Sequence, residues 1–181
     1  LRLMRVEKKK QNKPNYSFFT KLLHWGFVVL FAYGIFKQVN SINQLEEISF
    51  LRFEIVFALA FLSFLVFRFF YMTKTQQTSL PANTSRLQRL AAKFVHLSMY
   101  ACLAGIALSG LIIGYFFWLG LKDGLLIDSI IWIHELSVSL MYWLISIHVV
   151  ASLYHRLQKD GVWNSMVPFW NEKSKGAEKN F

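Results

Sequence analysis

Three histidines in the last apolar stretch of the chain are the residues best suited to chemistry. His134, His148 and His155 lie fourteen and seven residues apart. At about 100° per residue both spacings return close to one helix face, and fourteen residues cover about 21 Å of axis. His134 and His148 are therefore expected at two depths of one membrane. An imidazole inside a bilayer is costly and usually functional, and its commonest use in a helix bundle is to ligate haem iron.

The composition indicates a membrane protein. Of 181 residues, 55% are apolar and 18 are Phe. Four stretches, about residues 18–36, 50–71, 90–118 and 129–154, are long enough to cross the roughly 30 Å of hydrocarbon in a bilayer. The first is too long and too aromatic for a signal peptide. Because no internal repeat is present, residues 1–181 are predicted to form one all-α domain, a four-helix up-down membrane bundle.

The net charge of +10 fits membrane topology better than nucleic-acid binding. Residues 1–21 carry seven Lys or Arg against one Glu, and residues 68–93 carry five and no acid. The tail from Arg156 carries five against three acids, whereas the other two connections are short and net acidic. This alternation follows the positive-inside rule. Both termini are therefore predicted to be cytoplasmic, with the basic segments near anionic lipid and no nucleic-acid partner.

Depth in the membrane pairs two of the five histidines. His24 lies about seven residues into the first span, and His148 lies eight residues before Arg156. At about 1.5 Å per residue each is roughly 10–12 Å deep on the cytoplasmic side. Two ligands that hold one haem from opposite sides need such a match. His24 and His148 are therefore the predicted ligands of one haem iron.

The other three histidines lie at different depths. His96 follows Lys93 by three residues, so it is shallower on the same side, and ligation and an interfacial position explain it equally well. His155 is shallower still and fits an interfacial residue. His134 stands six residues after Asp128 and belongs to the periplasmic half.

Several motifs resemble those of the bacterial cytochrome b-561 family of four-helix membrane cytochromes, over nearly the whole chain. The matching motifs are Leu23-His24-Trp25, Arg68, Leu90 to Tyr100 around His96, His134-Glu135, His148, His155, Asp160-Gly161 and Met166-Val167-Pro168. The resemblance implies a bacterial inner-membrane protein with two b-type haems that exchanges electrons with quinone. It implies His24 and His148 as ligands of the cytoplasmic haem, and His134 as a ligand of the periplasmic haem.

The second span departs from the family pattern at one ligand position. The family has a histidine fourteen residues before the arginine that matches Arg68, and this chain has Glu54 there, at about the expected depth of His134. A carboxylate cannot replace one of the two nitrogen ligands of a low-spin haem. Three interpretations stay open: no periplasmic haem and a Glu54–His134 hydrogen bond, a five-coordinate haem on His134, or a sixth ligand from another residue or a partner. One haem b is thus expected, and the second depends on this choice.

The leading functional hypothesis is a quinone-linked electron-transfer cytochrome, alone or as the membrane anchor of a redox partner. A haem held by two imidazoles has no open position, so it transfers electrons and does not bind oxygen. A lipid-soluble quinone can arrive between helices, and its head needs proton exchange near water. The candidate quinone site comprises His155, Tyr154 and Arg156, with His96 nearby.

Two other hypotheses differ in class. A superoxide oxidase that reduces quinone would gain from a positive periplasmic surface. The cations there are few, namely Lys37, Arg52 and Lys122, among net acidic connections. A non-redox structural subunit with degenerate sites would carry no haem and show no haem absorption.

Overall fold

The computed structural model describes residues 16–38, 41–75, 80–81 and 84–170, and the regular elements in those ranges are all helices. The four long helices are α1 (Phe18–Lys37), α2 (Ile48–Thr75), α3 (Arg86–Trp118) and α4 (Leu125–Gln158). Each is long and apolar enough to cross a membrane. The predicted fold class, an all-α protein with four spanning helices, is confirmed. The first fifteen residues and the charged tail beyond Trp170, which carry much of the predicted topology signal, lie outside the described residues.

The helices extend up to four residues beyond the predicted spans at either end. Hydropathy marks the hydrocarbon region, whereas a helix continues until its backbone meets a cap. Ser17 caps α1 by accepting a hydrogen bond from the backbone N of Thr20 at 3.2 Å. Ser85 and Gln88 form a reciprocal capping box at the start of α3. Such caps satisfy the free N–H groups of the first turn, so each start is fixed by polar chemistry outside the apolar run.

Two short helical elements were not predicted. A 3-10 helix spans Ile42–Glu46 before α2, and α5 spans Val162–Met166 after α4. Both are only five residues long, which is too short for a hydrophobic period to be visible in the sequence. Each lies against the end of the bundle and packs on the long helices there.

The long helices run antiparallel in sequence order. We call the end where α1 begins and α4 ends the terminal end, and the other the far end. α2 packs on α1 and α3, and α3 packs closely on α4. Among the described residues, α1 and α4 have no pair of Cα atoms within 8 Å. The neighbours α3 and α4 are thus in close contact, while α1 and α4 are held apart.

The buried core consists of two clusters. One lies in the middle of the bundle and reaches toward the terminal end, and it contains Phe27, Phe61, Leu65, Leu103, Ala107 and Met141. The other lies toward the far end and contains Leu45, Leu51, Ile113, Phe117 and Ile127. Most other large apolar side chains on the four helices are exposed, as a lipid-facing surface requires.

Glycines let α3 approach both neighbours. A Cβ atom at Gly114 would lie 2.8 Å from Cγ1 of Ile55 on α2. A Cβ atom at Gly105 would lie 2.9 Å from Oγ of Ser137 on α4. Small residues at helix crossings are the usual means of close packing in membranes. The far half of α3 is therefore filled by protein side chains on both sides.

A Gly114→Ala substitution is expected to destabilise the bundle, and Gly26→Ala is the matched control. Both add a methyl group to a helix, which alone favours the helix by about 0.8–1 kcal/mol. At Gly26 the new atom would only touch Phe64 at 3.9 Å, whereas at Gly114 it overlaps Ile55. Overpacking costs about 1–3 kcal/mol. Thermal unfolding in detergent should therefore show a lower midpoint for Gly114→Ala than for Gly26→Ala, and equal midpoints would contradict this packing.

Candidate functional site

Two histidines face each other across the gap between α1 and α4. The ring centroids of His24 and His148 lie 6.4 Å apart, with an angle of 57° between the ring planes. Bonds from metal ions to imidazole nitrogen are about 2 Å long, so two rings on opposite sides of one ion have centroids roughly 6 Å apart. The spacing fits a shared metal ion, and the separation of α1 from α4 fits a flat macrocycle around it.

His96 lies beside this pair but in a different geometry. Its ring centroid is 5.1 Å from that of His148, and the two rings meet edge to face. Nδ1 of His96 lies 2.6 Å from the carbonyl oxygen of Ala92 on its own helix. The shorter spacing and the close packing of α3 on α4 leave less room for an ion and macrocycle between His96 and His148. The structure thus groups three histidines, and the His24–His148 spacing suits a shared ion better than the His96–His148 spacing.

Arg68 on α2 is a third polar group at this site. Its Nη2 lies 3.0 Å from Nδ1 of His24, and its Nη1 donates to the hydroxyl of Tyr100 at 3.0 Å. The guanidinium also lies over the rings of Phe27 and Tyr100, at 5.4 and 5.3 Å. Its Nε atom is buried without a hydrogen-bond partner in the described part of the chain. Sequence reasoning placed Arg68 only in a family motif, although a charge inside a span is itself a signal of function.

In the far half, His134 forms a hydrogen bond with a residue of α3. Its Nδ1 lies 2.9 Å from Oγ of Ser109, and that hydroxyl donates to the carbonyl oxygen of Gly105 at 2.5 Å. Because a hydroxyl has one proton, Nδ1 of His134 is the donor and Nε2 carries the lone pair. The ring also lies against Gly110, where an added Cβ would be 3.6 Å from Cε1. Ser109 was not predicted, since a serine in a span is usually bonded to its own helix.

Glu54 makes no hydrogen bond to His134, so the bonded pair considered from the sequence is not found. Its Oε1 atom is buried and has no partner among the described residues. Ile55, the next residue, packs on Gly114, whereas His134 packs on Gly110. These glycines are one turn apart on α3, so Ile55 and His134 contact α3 at levels about 6 Å apart. Because Glu54 supplies a carboxylate, the described residues of the far half do not offer an opposed pair of imidazoles like the one between α1 and α4.

A cap built from α5 covers the terminal end. Nδ1 of His155 lies 2.6 Å from Oδ2 of Asp160, and these side chains are 19% and 15% exposed. Oδ1 of Asp160 accepts from the backbone N of Val162 at 3.0 Å, at the start of α5. The hydrogen bond to carboxylate identifies Nδ1 of His155 as the N–H and leaves Nε2 as the acceptor. Asp160 had been noted only as part of a motif.

Arg156 and Tyr154 occupy the same end in different environments. The Arg156 guanidinium lies over the rings of Trp163 and Trp170, at 4.9 and 5.0 Å. This double cation–π contact anchors α4 to the cap. Tyr154 is 52% exposed, and its ring is 5.9 Å from the ring of His155. Of the three predicted quinone-site residues, His155 and Tyr154 are thus adjacent, and Arg156 is engaged by tryptophan.

The cap is also tied to α1 beside His24. Trp25 donates from Nε1 to the carbonyl oxygen of Met166 at 3.1 Å. Lys21 donates from Nζ to the carbonyl oxygen of Asn164 at 2.9 Å. α5 therefore bridges the terminal ends of α1 and α4, the two helices that carry His24 and His148.

Comparison with known families identifies the chain. The family model described as prokaryotic cytochrome b561 matches residues 15–169, so the chain belongs to that family. No curated protein and no solved structure gives a significant match. Membership implies haem b and a role in electron transfer, and the four apolar helices make the chain a multi-pass membrane cytochrome.

An Asp160→Ala substitution is expected to loosen the cap while the four long helices stay intact. It removes both the partner of His155 and the acceptor for the first turn of α5. Loss of a capping side chain costs about 1 kcal/mol, so amide exchange across residues 162–167 should be roughly fivefold faster. Mass-spectrometric hydrogen exchange measures this. Asp123→Ala, at an exposed residue of the far end, is the control, and equal exchange in both variants would rule out the cap.

Proposed function

We propose that this prokaryotic cytochrome b561 holds one haem b between His24 and His148 and exchanges electrons with a membrane quinone. The observation that carries the proposal is the pair of imidazoles, 6.4 Å apart, on two helices that are otherwise separated. Haem b with two imidazole ligands supplies one-electron redox chemistry and has no open coordination position. The chain would position the haem and keep it from bulk water.

The positions of the polar groups favour one haem per chain. In the terminal half two imidazoles oppose each other across a gap. In the far half His134 is hydrogen-bonded to Ser109, and Glu54 supplies a carboxylate. Glu54 and His134 lie on α2 and α4, which in the described part of the chain have no pair of Cα atoms within 8 Å, so it is the lack of a second imidazole, and not close helix packing, that disfavours a haem there. We therefore propose that His134 packs against α3 and hydrogen-bonds to Ser109 without ligating a haem, whereas the two-haem pattern of the family would make it a ligand.

The orientation proposed for the bundle places both termini in the cytoplasm of a bacterium, with the protein in the inner membrane. Its support is the alternation of basic and acidic segments along the chain. The haem would then lie in the cytoplasmic half. A redox partner protein would meet the haem at that face.

The quinone site is proposed at His155, on the same face of α4 as His148 and two turns further along. The seven intervening residues correspond to about 10.5 Å of helix axis. Oxidation of a quinol releases protons along with electrons, so the site needs a proton acceptor. The hydrogen bond to Asp160 turns the Nε2 lone pair of His155 away from Asp160, which is the arrangement of an oriented general base. The neighbouring Tyr154 can contact the quinone head.

The far end offers little support for superoxide as the substrate. Lys122, one of three far-end cations noted in the sequence, forms an ion pair with Glu46 at 3.3 Å. An anionic substrate would be attracted by an uncompensated positive surface. Electron transfer with quinone therefore remains the function we propose.

Ligation by His24 and His148 is tested by replacing each with Ala. Either variant should lose the low-spin haem b signal, because one imidazole cannot complete the proposed ligand pair. His134→Ala should keep it, at one haem per polypeptide. Reduced-minus-oxidised spectra and pyridine haemochrome assays of purified protein give both quantities, and circular dichroism checks that the helices persist. Full haem content in both the His24 and His148 variants would refute the assignment, and two haems per wild-type chain would refute the count.

The role of His155 is tested by stopped-flow reduction with a short-chain quinol. His155→Gln keeps an amide N–H donor, but it removes both the Nδ1 atom that bonds to Asp160 and the ring nitrogen that would accept a proton. It should slow haem reduction at least tenfold, which corresponds to about 1.4 kcal/mol of barrier, with an unchanged haem spectrum. Gln158→Ala, at the end of the same helix, is the control. A wild-type rate in His155→Gln removes His155 from the site, and failure of any quinol to reduce the wild-type protein removes the quinone proposal.

A further inference from the structure

Arg68 carries a positive charge inside a membrane span without an anion to balance it. It lies seven residues before Thr75, the last residue of α2, or about 10 Å from that end. A charge at such depth is normally paired. In the described part of the chain no carboxylate lies within 4 Å of the guanidinium. Its contacts are the imidazole of His24, the ring of Phe27, and the ring and hydroxyl of Tyr100.

The side chain also keeps part of its hydrogen-bonding capacity unused. A guanidinium offers five N–H donors in a planar fork that matches a carboxylate. One donor is used by Tyr100 and one faces His24, while the buried Nε has no partner. An unsatisfied buried donor is costly. In the described part of the chain the guanidinium therefore keeps a buried N–H that would be satisfied by an acceptor with negative charge.

The contact with His24 supports the same conclusion. A guanidinium only donates, so Nδ1 of His24 is the acceptor in the contact of 3.0 Å. A neutral imidazole that ligates iron through Nε2 carries its proton on Nδ1, where it would face a second donor. An anion that took the guanidinium fork would remove this conflict. The anion must therefore lie within reach of both Arg68 and the proposed ligand.

We propose that Arg68 binds a propionate carboxylate of the haem and so fixes how the haem is oriented between His24 and His148. The proposal rests on the proposed function, since it requires the haem at that site. Haem b carries two carboxylates, and it would lie beside the imidazole that Arg68 already contacts. A lipid phosphate is the other source of such an anion, but it would have to descend about 10 Å from the end of α2. Arg68 is thus a positioning residue that acts on the cofactor's carboxylate.

The test compares Arg68→Met with Arg52→Met, at an exposed arginine on the same helix. Haem transfer from purified holoprotein to excess apomyoglobin should be at least tenfold faster for Arg68→Met and unchanged for Arg52→Met. Arg68→Lys, which keeps the charge without the fork, should fall between them. A second readout is the haem midpoint potential. Loss of the positive charge should lower the potential and make it depend on pH in the neutral range, because the free propionate then takes up a proton on reduction.

Haem dimethyl ester lacks the free carboxylates, so it distinguishes propionate binding by Arg68 from a packing role and from binding of a lipid phosphate. In wild-type protein loaded with the ester, transfer should be as fast as in Arg68→Met with haem, and Arg68→Met should add nothing further. An equal loss caused by Arg68→Met with haem and with the ester would overturn the proposal in favour of packing. An effect of Arg68→Met that appears only in micelles with added anionic phospholipid would assign the anion to lipid. A wild-type protein without haem, or full haem in the His24 and His148 variants, would instead refute the proposed function.

Discussion

A polar group inside hydrocarbon must find a partner within the protein, and this requirement determines the arrangement of the bundle. The backbone satisfies itself through four long helices, so the remaining demands come from a few side chains. The two halves of the bundle provide partners for these polar side chains in different ways. In the terminal half, Arg68 and Tyr100 bond to each other beside the His24–His148 pair. In the far half, His134 is hydrogen-bonded to Ser109, and Glu54 keeps a buried oxygen without a partner among the described residues.

The two halves also differ in how closely the helices approach. Glycines draw α3 onto α2 and α4, so side chains fill the spaces on both sides of α3. α1 has no such contact with α4, and the bridge between them is made at the terminal end by α5. A gap bounded by imidazoles and closed by a cap suits a flat, largely apolar cofactor. In the far half of the described chain α2 and α4 are likewise apart, but Glu54 stands where a second imidazole would be needed, so one haem is the number we propose.

The sequence predicted the depth of a residue along its helix axis. It did not predict the contacts that depend on how each helix is rotated about that axis. His24 and His148 could be matched because the rise per residue is constant, so counting from polar flanks gives depth. The same count put Glu54 at about the depth of His134, but a shared depth does not decide whether two side chains meet, and the described residues include no hydrogen bond between these two. The contacts of Arg68 with His24 and of His134 with Ser109 required the rotation of each helix, which no flank reveals. α5 was missed because five residues carry no measurable periodicity.

The cap connects His155, which is proposed to take the quinol proton, to the helix that carries His24, a proposed iron ligand. His155 is held by Asp160, whose other oxygen starts α5, and the end of α5 binds Trp25 next to His24. Adjacent to His155, Arg156 is sandwiched by two tryptophans of the same segment. A movement of the cap would therefore act at once on the imidazole proposed to take the quinol proton and on the helix that carries a proposed iron ligand. Because the His155–Asp160 contact is short and both side chains are largely buried, the simplest arrangement is a rigid terminal end. A quinone head would then reach His155 from the lipid side, past Tyr154, without displacing α5.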